Sequence, residues 1–531
     1  MQTPQPIQSQ ASGADSGDPA KQPELVFGLV GPLGTDLSLV AGHLKDALAR
    51  VRYRADVFRL SRFMRELPAL PWSDLTDGPR DDEIDTHMQA GNALRERLGR
   101  NDAVAMLGVG AIRNFREMVC QDPNRSLAAQ AHILHSLKRP EEITTLRRIY
   151  GPTFFVIAAY SPRARRLQDL ARRIAESRHS NQSSEFTGKA EQLLARDESE
   201  AGNPRGQDVR NTFALADVIV NTNEPKTARD EVLRFVELLF GNTFHTPTRD
   251  EQGMFFAQSA AYRSASLARQ VGACVCRPDG SVVSVGSNEV ARAGGGQYWY
   301  GDDPDARDFQ LGYDSSDRMR ENLLGDILQR LQHAGWLTEE RAKLPVSNLL
   351  QDALRSDSNA FMKNAQFTGT IDFVRAVHAE LAALTTAVRH GVSTQDCSMF
   401  TTTFPCHDCA KHLVASGVKR VVYIEPYPKS LVPELYPDSI AVDSHVDCQG
   451  RVRFDPFVGI APKRYGDLFA LQKRKRKNPD GTAASWQPND ALPTIPEHFA
   501  PPLARLVTEQ EEFEDFKAIL FDKGVLKGSE Q

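Results

Sequence analysis

The chain has 531 residues, 40% hydrophobic and 25% charged, with a formal net charge of -5. That length accommodates roughly two to four domains with ordinary globular cores. The negative balance argues against a chain built mainly to coat a polyanion, because such domains are usually basic. Seven cysteines, an odd number in a long chain, argue against a disulfide framework and for a reducing, cytoplasmic setting. No apolar run of about 18 residues is present, and the N-terminus lacks a signal-peptide core, so no membrane partner is expected.

Residues 1–23, rich in Gln, Ser, Pro, Gly and Asp, read as a disordered tail. ELVFGLVG (24–31) reads as a buried strand, and TDLSLVAGHLKDALARV (35–51) as a helix capped by Thr35 or Asp36. Buried-strand candidates follow at 53–60, 131–137, 153–161 and 216–222, with helical stretches at 83–100 and 163–177 between them. This alternation predicts an α/β domain over about 24–245, with a parallel sheet flanked by helices. The polar stretch 178–210 reads as a mobile or lid-like excursion, and 230–241 as a closing helix.

A second domain is expected from 250 to 531, with an insertion at about 292–365. Residues 255–270 read as a helix, and 272–289 as a hairpin turning at Pro278-Asp279-Gly280. Cys274 and Cys276 read as buried small residues on opposite faces of that strand. Two helices near 318–334 and 338–355 precede a helix within 367–391, a strand at 398–404, a helix at 406–417 and a strand at 419–427. The pattern predicts an α/β/α domain. Residues 472–481, QKRKRKNPDG, form a local basic run beside a turn.

The chemistry concentrates in His378-Ala379-Glu380 and Pro405-Cys406-His407-Asp408-Cys409. His378, Cys406 and Cys409 supply one imidazole and two thiolates, the donors a Zn2+ ion takes, and leave a fourth tetrahedral position for water. A helix starting at the cysteines favours thiolates through its positive end. Glu380, two residues from His378, is placed to face the cavity without binding metal. There it takes a proton from the water, whose pKa zinc lowers from 15.7 toward about 7, and passes it on. A lone C-x-x-C is a common redox or structural pair. The joint order H-x-E…P-C-x-x-C is far more specific and is that of zinc deaminases.

The stretches SASLARQVGACVCRPDGSVVSVGSNE, VHAELAAL and PCHDCAKHLVASGVKRVVYIEPYPKS resemble deoxycytidylate deaminases of the cytidine deaminase superfamily. The resemblance implies a cytidine-deaminase-like fold and places Asn288 against the sugar of the substrate. An asparagine at a hairpin end also serves plain turn geometry. Arg269, Lys429, Lys463 and Arg464 are the candidates for holding phosphate.

In the first domain, Gly28, Gly31, Gly34, Thr35 and Asp36 lie between a strand and a helix, where a phosphate-binding loop belongs. The pattern G-x-x-x-x-G-K-[ST] is incomplete, because no lysine follows Gly34. The stretch resembles a P-loop nucleotide kinase with a degenerate loop; the residues fit either nucleotide binding without phosphoryl transfer or a plain structural strand-to-helix turn. With AGNALRE (90–96), HSLKRPEEITTLRRIYG (135–151) and FDPFVGIAPKRYGDLF (454–469), the whole chain resembles bacterial antiphage dCTP deaminases, which fuse such a domain to a deaminase. The resemblance implies conversion of dCTP and/or dCMP to dUTP/dUMP by hydroxide attack at cytosine C4, depleting the deoxycytidine nucleotide pool during infection. It also implies a homo-oligomer, a regulatory nucleotide at the N-terminal domain, and, in some members, an inhibitory small RNA. The alternative from a different class is a deaminase that edits RNA or single-stranded DNA, which needs a basic groove with stacking aromatics.

Overall fold

The computed structural model describes residues 19–67, 75, 77–200, 202–355, 360–362, 365–370, 373–426, 430–443, 448, 450–471, 474–495 and 502–526. The chain divides into two compact units. One comprises the residues up to Pro247 together with those from Val458 onward, and the other is Thr248–Phe457.

In the first unit, β1 (Leu25–Val30), β2 (Arg54–Arg59), β3 (Gln130–Leu137), β4 (Phe154–Tyr160) and β5 (Val218–Asn221) form a parallel sheet in the order β2-β3-β1-β4-β5. β1 is buried along its whole length, as the unbroken apolar run LVFGLV requires of a strand covered on both faces. Phe27 and Leu29 pack with Leu44 of the Leu37–Arg50 helix and Phe235 of the Pro225–Leu239 helix. Each such side chain contributes about 1.5–3 kcal/mol by leaving water. The Ala103–Cys120 helix covers the other face, where Gly108 lies against Leu134.

Two expectations are corrected here. The stretch 178–210 is not an open excursion: it contains the helix Thr187–Glu198, whose Ala190, Leu193 and Leu194 pack against Ile84, Met88, Leu170 and Ile174. Its apolar residues are sparse but share one face, and that suffices for burial. The expected 250–531 domain also ends early. Gly459–Ile460 pairs antiparallel with β5 and covers its free edge, and the helix Pro502–Asp522 brings Glu509 onto Arg116 through a 2.6 Å ion pair.

In the second unit, β6 (Gly272–Cys276), β7 (Val282–Ser287), β8 (Glu289–Val290), β9 (Ala376–Val377), β10 (Ser398–Thr403), β11 (Arg420–Glu425), β12 (Ile440–Val442) and β13 (Val452–Pro456) appear in chain order. The main sheet runs β12-β13-β11-β10-β6-β7 and is parallel from β12 to β10. β6 is antiparallel to both of its neighbours, and β8 pairs separately with β9. The helix Arg249–Ala261 covers one face and Ala379–Arg389 the other, giving the expected α/β/α layering. The first helix stops at Ala261 rather than continuing to 270; Ser264 beyond it donates its hydroxyl to Asn288 O at 2.7 Å. Cys274 and Cys276 share a face, with Sγ atoms 3.5 Å apart, because strand residues two apart point the same way.

Candidate active site

His378 follows β9 and is the extended N-cap residue of the Ala379–Arg389 helix, so Glu380 falls in that helix's first turn. Cys406 is the N-cap of the His407–Ala415 helix, and its Sγ accepts the Cys409 backbone N–H at 3.4 Å. Two helix starts therefore meet at one point, and their positive ends favour anionic sulfur there. His378 Nδ1 lies 3.3 Å from Cys406 Sγ and 3.4 Å from Cys409 Sγ. Donors around a tetrahedral zinc stand roughly 3.5 Å apart, given Zn–S of about 2.3 Å and Zn–N of about 2.0–2.1 Å. The three side chains, all within 4.8 Å of one another, fit that ion.

The electrostatics agree with the geometry. The Cys406 sulfur is held well below the usual thiol range, first by the hydrogen bond from the Cys409 thiol and then by the His378 ring, while that shared bond and burial hold the Cys409 thiol above it. Glu380, only 4% exposed, is raised to about 6 by burial and by the charge of Cys406 beside it. A carboxyl tuned toward neutrality both takes and returns protons near pH 7.

A cavity of about 200 Å³ opens onto this cluster, with Val271, Ala376 and Phe404 as apolar wall and Arg269, Asn288 and Thr403 as polar groups. That is smaller than the ~300 Å³ of typical drug-sized pockets and suits a compact ring. Asn288 lines the cavity, but its Oδ1 accepts the Val271 N–H at 2.7 Å and its Nδ2 donates to Arg269 O at 2.8 Å. The side chain therefore fixes the strand entry and keeps a second N–H on Nδ2. Thr403 and Phe404 were not singled out in the sequence, although they immediately precede Pro405-Cys406, and that adjacency was the available signal.

Of the phosphate candidates, Arg269 is exposed at the cavity rim, and Lys429 lies outside the described residues. Lys463 and Arg464 are committed elsewhere: they pair at 3.3 Å and 3.1 Å with the fully buried Asp217 of the first unit. The basic run 472–481 is partly outside the described residues, and its Arg476 donates to Thr243 O at 2.8 Å.

In the first unit, Gly31, Gly34, Thr35 and Asp36 do form the turn from β1 into the next helix, and Asp36 caps it by accepting Leu39 N–H at 3.0 Å. Gly34 has φ +88, which strains any residue with a Cβ. Gly28 belongs elsewhere: it sits inside β1, pressed by Leu137 and Phe154, so close packing accounts for it.

Residues 247–425 match the family model described as the cytidine and deoxycytidylate deaminase zinc-binding region. A 54-residue stretch, 10% of the chain, is 46% identical to the deoxycytidylate deaminase of Enterobacteria phage T2, covering 29% of that protein. A 53-residue stretch, again 10% of the chain, is 36% identical to ComE operon protein 2 of Bacillus subtilis (strain 168), covering 28% of it. The chain thus spans under a third of the length of these relatives. Among solved structures, that of the dCMP deaminase from cyanophage S-TIM5 in complex with dCMP and dUMP aligns over 40% of this chain and 99% of its own, at 18% identity and TM-score 0.22.

Proposed function

We propose that the Thr248–Phe457 unit is a zinc-dependent deaminase that converts dCTP and/or dCMP to the uracil nucleotide. The observation that carries this reading is the meeting of His378, Cys406 and Cys409 beside a buried Glu380 at the floor of a small cavity. His378, Cys406 and Cys409 would hold the ion, which when bound acidifies a water. Glu380 accepts a proton, delivers it to the pyrimidine ring nitrogen, and carries a second proton to the departing amino group. Water and the cytosine ring thereby become uracil and ammonia. Phe404 and Val271 exclude bulk water from the ring, and Asn288 offers its remaining N–H to the sugar. The named activity of the phage T2 relative supports a deoxycytidine nucleotide as substrate. Incubating the purified chain with dCTP, dCMP, CTP, CMP and single-stranded DNA, and assaying ammonia and uracil products, tests it. Release from dCTP or dCMP is expected. Editing of the polynucleotide alone contradicts the reading.

The family resemblance extends the proposal to antiphage depletion of the deoxycytidine pool by an oligomeric enzyme, with a small RNA restraining it before infection. Loss of dCTP and dCMP from infected cells carrying the chain, absent in a Glu380 variant, checks the depletion. We also read the turn Gly31–Asp36 as a phosphate cradle for a regulatory nucleotide. The missing loop lysine has a substitute in Lys138, whose Nζ reaches Gly31 O at 3.3 Å from the end of β3.

A further inference from the structure

The turn after β1 holds an anion that belongs to the chain itself. Asp197, fully buried near the end of the Thr187–Glu198 helix, accepts the Leu33 backbone N–H at 2.6 Å through Oδ2. Its Oδ1 accepts Lys138 Nζ at 2.7 Å. A backbone N–H and an ammonium converging on one oxyanion are what a phosphate group uses. The position in the fold points the same way. β1 and β3 are neighbours, and their connections leave in opposite directions, β1 toward β2 and β3 toward β4. Open α/β sheets bind ligands at the carboxyl ends of strands where the order reverses in this manner.

The same helix end grips the turn from its other side. Glu198 pairs with Arg166 Nη2 at 3.0 Å, and Arg166 Nη1 donates to Leu33 O at 3.2 Å. Leu33 is thus held at its N–H by Asp197 and at its carbonyl by way of Glu198. Gly34, at φ +88, lets the turn pass close to the Arg166 backbone, where a Cβ would crowd it. Thr35 Oγ1 and His135 Nε2 are buried in this region with no hydrogen-bond partner among the described residues. Donor capacity is therefore left over around a cradle already occupied by one carboxylate.

We infer that Asp197 is an internal occupant of the Gly31–Asp36 turn, and that a phosphate-bearing ligand enters only by displacing it and loosening the Thr187–Glu198 helix. This rests on the reading of the turn as a phosphate cradle. It makes the first unit a latched receptor, closed until a polyphosphate competes with the carboxylate.

The test is binding of inorganic triphosphate to the full chain by calorimetry, in wild type, Asp197→Asn, and Asp197→Asn with Lys138→Gln. The expected result is at least tenfold tighter binding in Asp197→Asn than in wild type, reversed by adding Lys138→Gln. Equal binding by wild type and Asp197→Asn overturns the latch and leaves the cradle standing. Binding by neither overturns both. Should Asp197→Asn fail to fold, Glu198→Gln decides, because it weakens the Arg166 clamp on the Leu33 carbonyl and leaves Asp197 and Lys138 paired. A several-fold gain supports the latch, and no gain overturns it.

Discussion

His378 Nδ1 lies 3.3 Å from Cys406 Sγ, although 28 residues separate them in the chain. Two helix starts, each with its ligand as the N-cap residue, create this contact. A site assembled from caps exists only when both helices are docked on the sheet. Metal binding should therefore be all or none. Wild type should carry about one zinc per chain by elemental analysis, as a site with three protein ligands requires. His378→Ala, Cys406→Ser and Cys409→Ser should each lose it. Zinc retained after removal of any one of the three contradicts the ligand set.

Gly286 of β7 packs directly against the helix that carries Glu380, where a Cβ would overlap Ala379 O and Ala383 N. Both obstacles are backbone, so relief requires the helix to move. Gly286→Ala should cost about 1–3 kcal/mol of stability or more, the range for overpacking. It should also lower kcat, because a shift of about 1 Å in a catalytic group costs on the order of 100-fold. Thermal unfolding and steady-state kinetics measure both. An unperturbed kcat would show that the helix position tolerates the change.

Arg116 is almost fully buried between Glu24 and Glu509, with ion pairs of 2.8 Å and 2.6 Å. Glu509→Ala leaves part of that charge unmet and should destabilise the first unit by about 3 kcal/mol, as removal of one partner from a buried pair does. Zinc content should not change. Loss of zinc with an intact first unit would return the C-terminal helix to the deaminase unit, where the sequence had placed it.

The ease of reading the sequence followed the physics of each element. β1 and β4 are nearly unbroken apolar runs, and the candidate catalytic groups are rare residue types at fixed spacing, so both were visible; β2, expected to be buried, is a half-exposed edge strand carrying Arg54, Asp56 and Arg59. Asp197 was not, because a single carboxylate in a polar stretch carries no signal until the fold brings Leu33 and Lys138 to it across 164 and 59 residues. The return of 458–531 to the first unit rests on a two-residue edge strand and on ion pairs such as Arg116–Glu509, neither of which has periodicity. Asn288 lines the cavity, and the backbone hydrogen bonds it makes there depend on strand register, which motifs do not encode. Gly28 looked like a loop glycine because it precedes others, whereas packing against Leu137 explains it.

His135, near the end of β3, is pushed down to about 4 by burial and by Arg59 and Lys138 nearby. Its folded pKa lies below its unfolded value of 6.5, so the unfolded chain gains a proton that the folded one refuses. Stability is therefore complete above pH 6.5 and declines as pH falls toward 4, by roughly 3 kcal/mol at 1.36 kcal/mol per unit. His135→Gln should remove this slope. Urea unfolding at pH 7 and at about pH 4.5 compares the two; parallel losses in wild type and variant contradict the assignment.

The most direct measurement of the central claim is the rate of ammonia release from dCTP and dCMP by Glu380→Gln with its zinc content checked. The substitution keeps shape and hydrogen bonding but cannot carry a proton. Full zinc occupancy, near-unchanged nucleotide binding, and kcat lower by about 10²–10⁴, the usual contribution of a positioned acid–base group, are expected. A zinc-loaded Glu380→Gln chain that deaminates at the wild-type rate would contradict the claim.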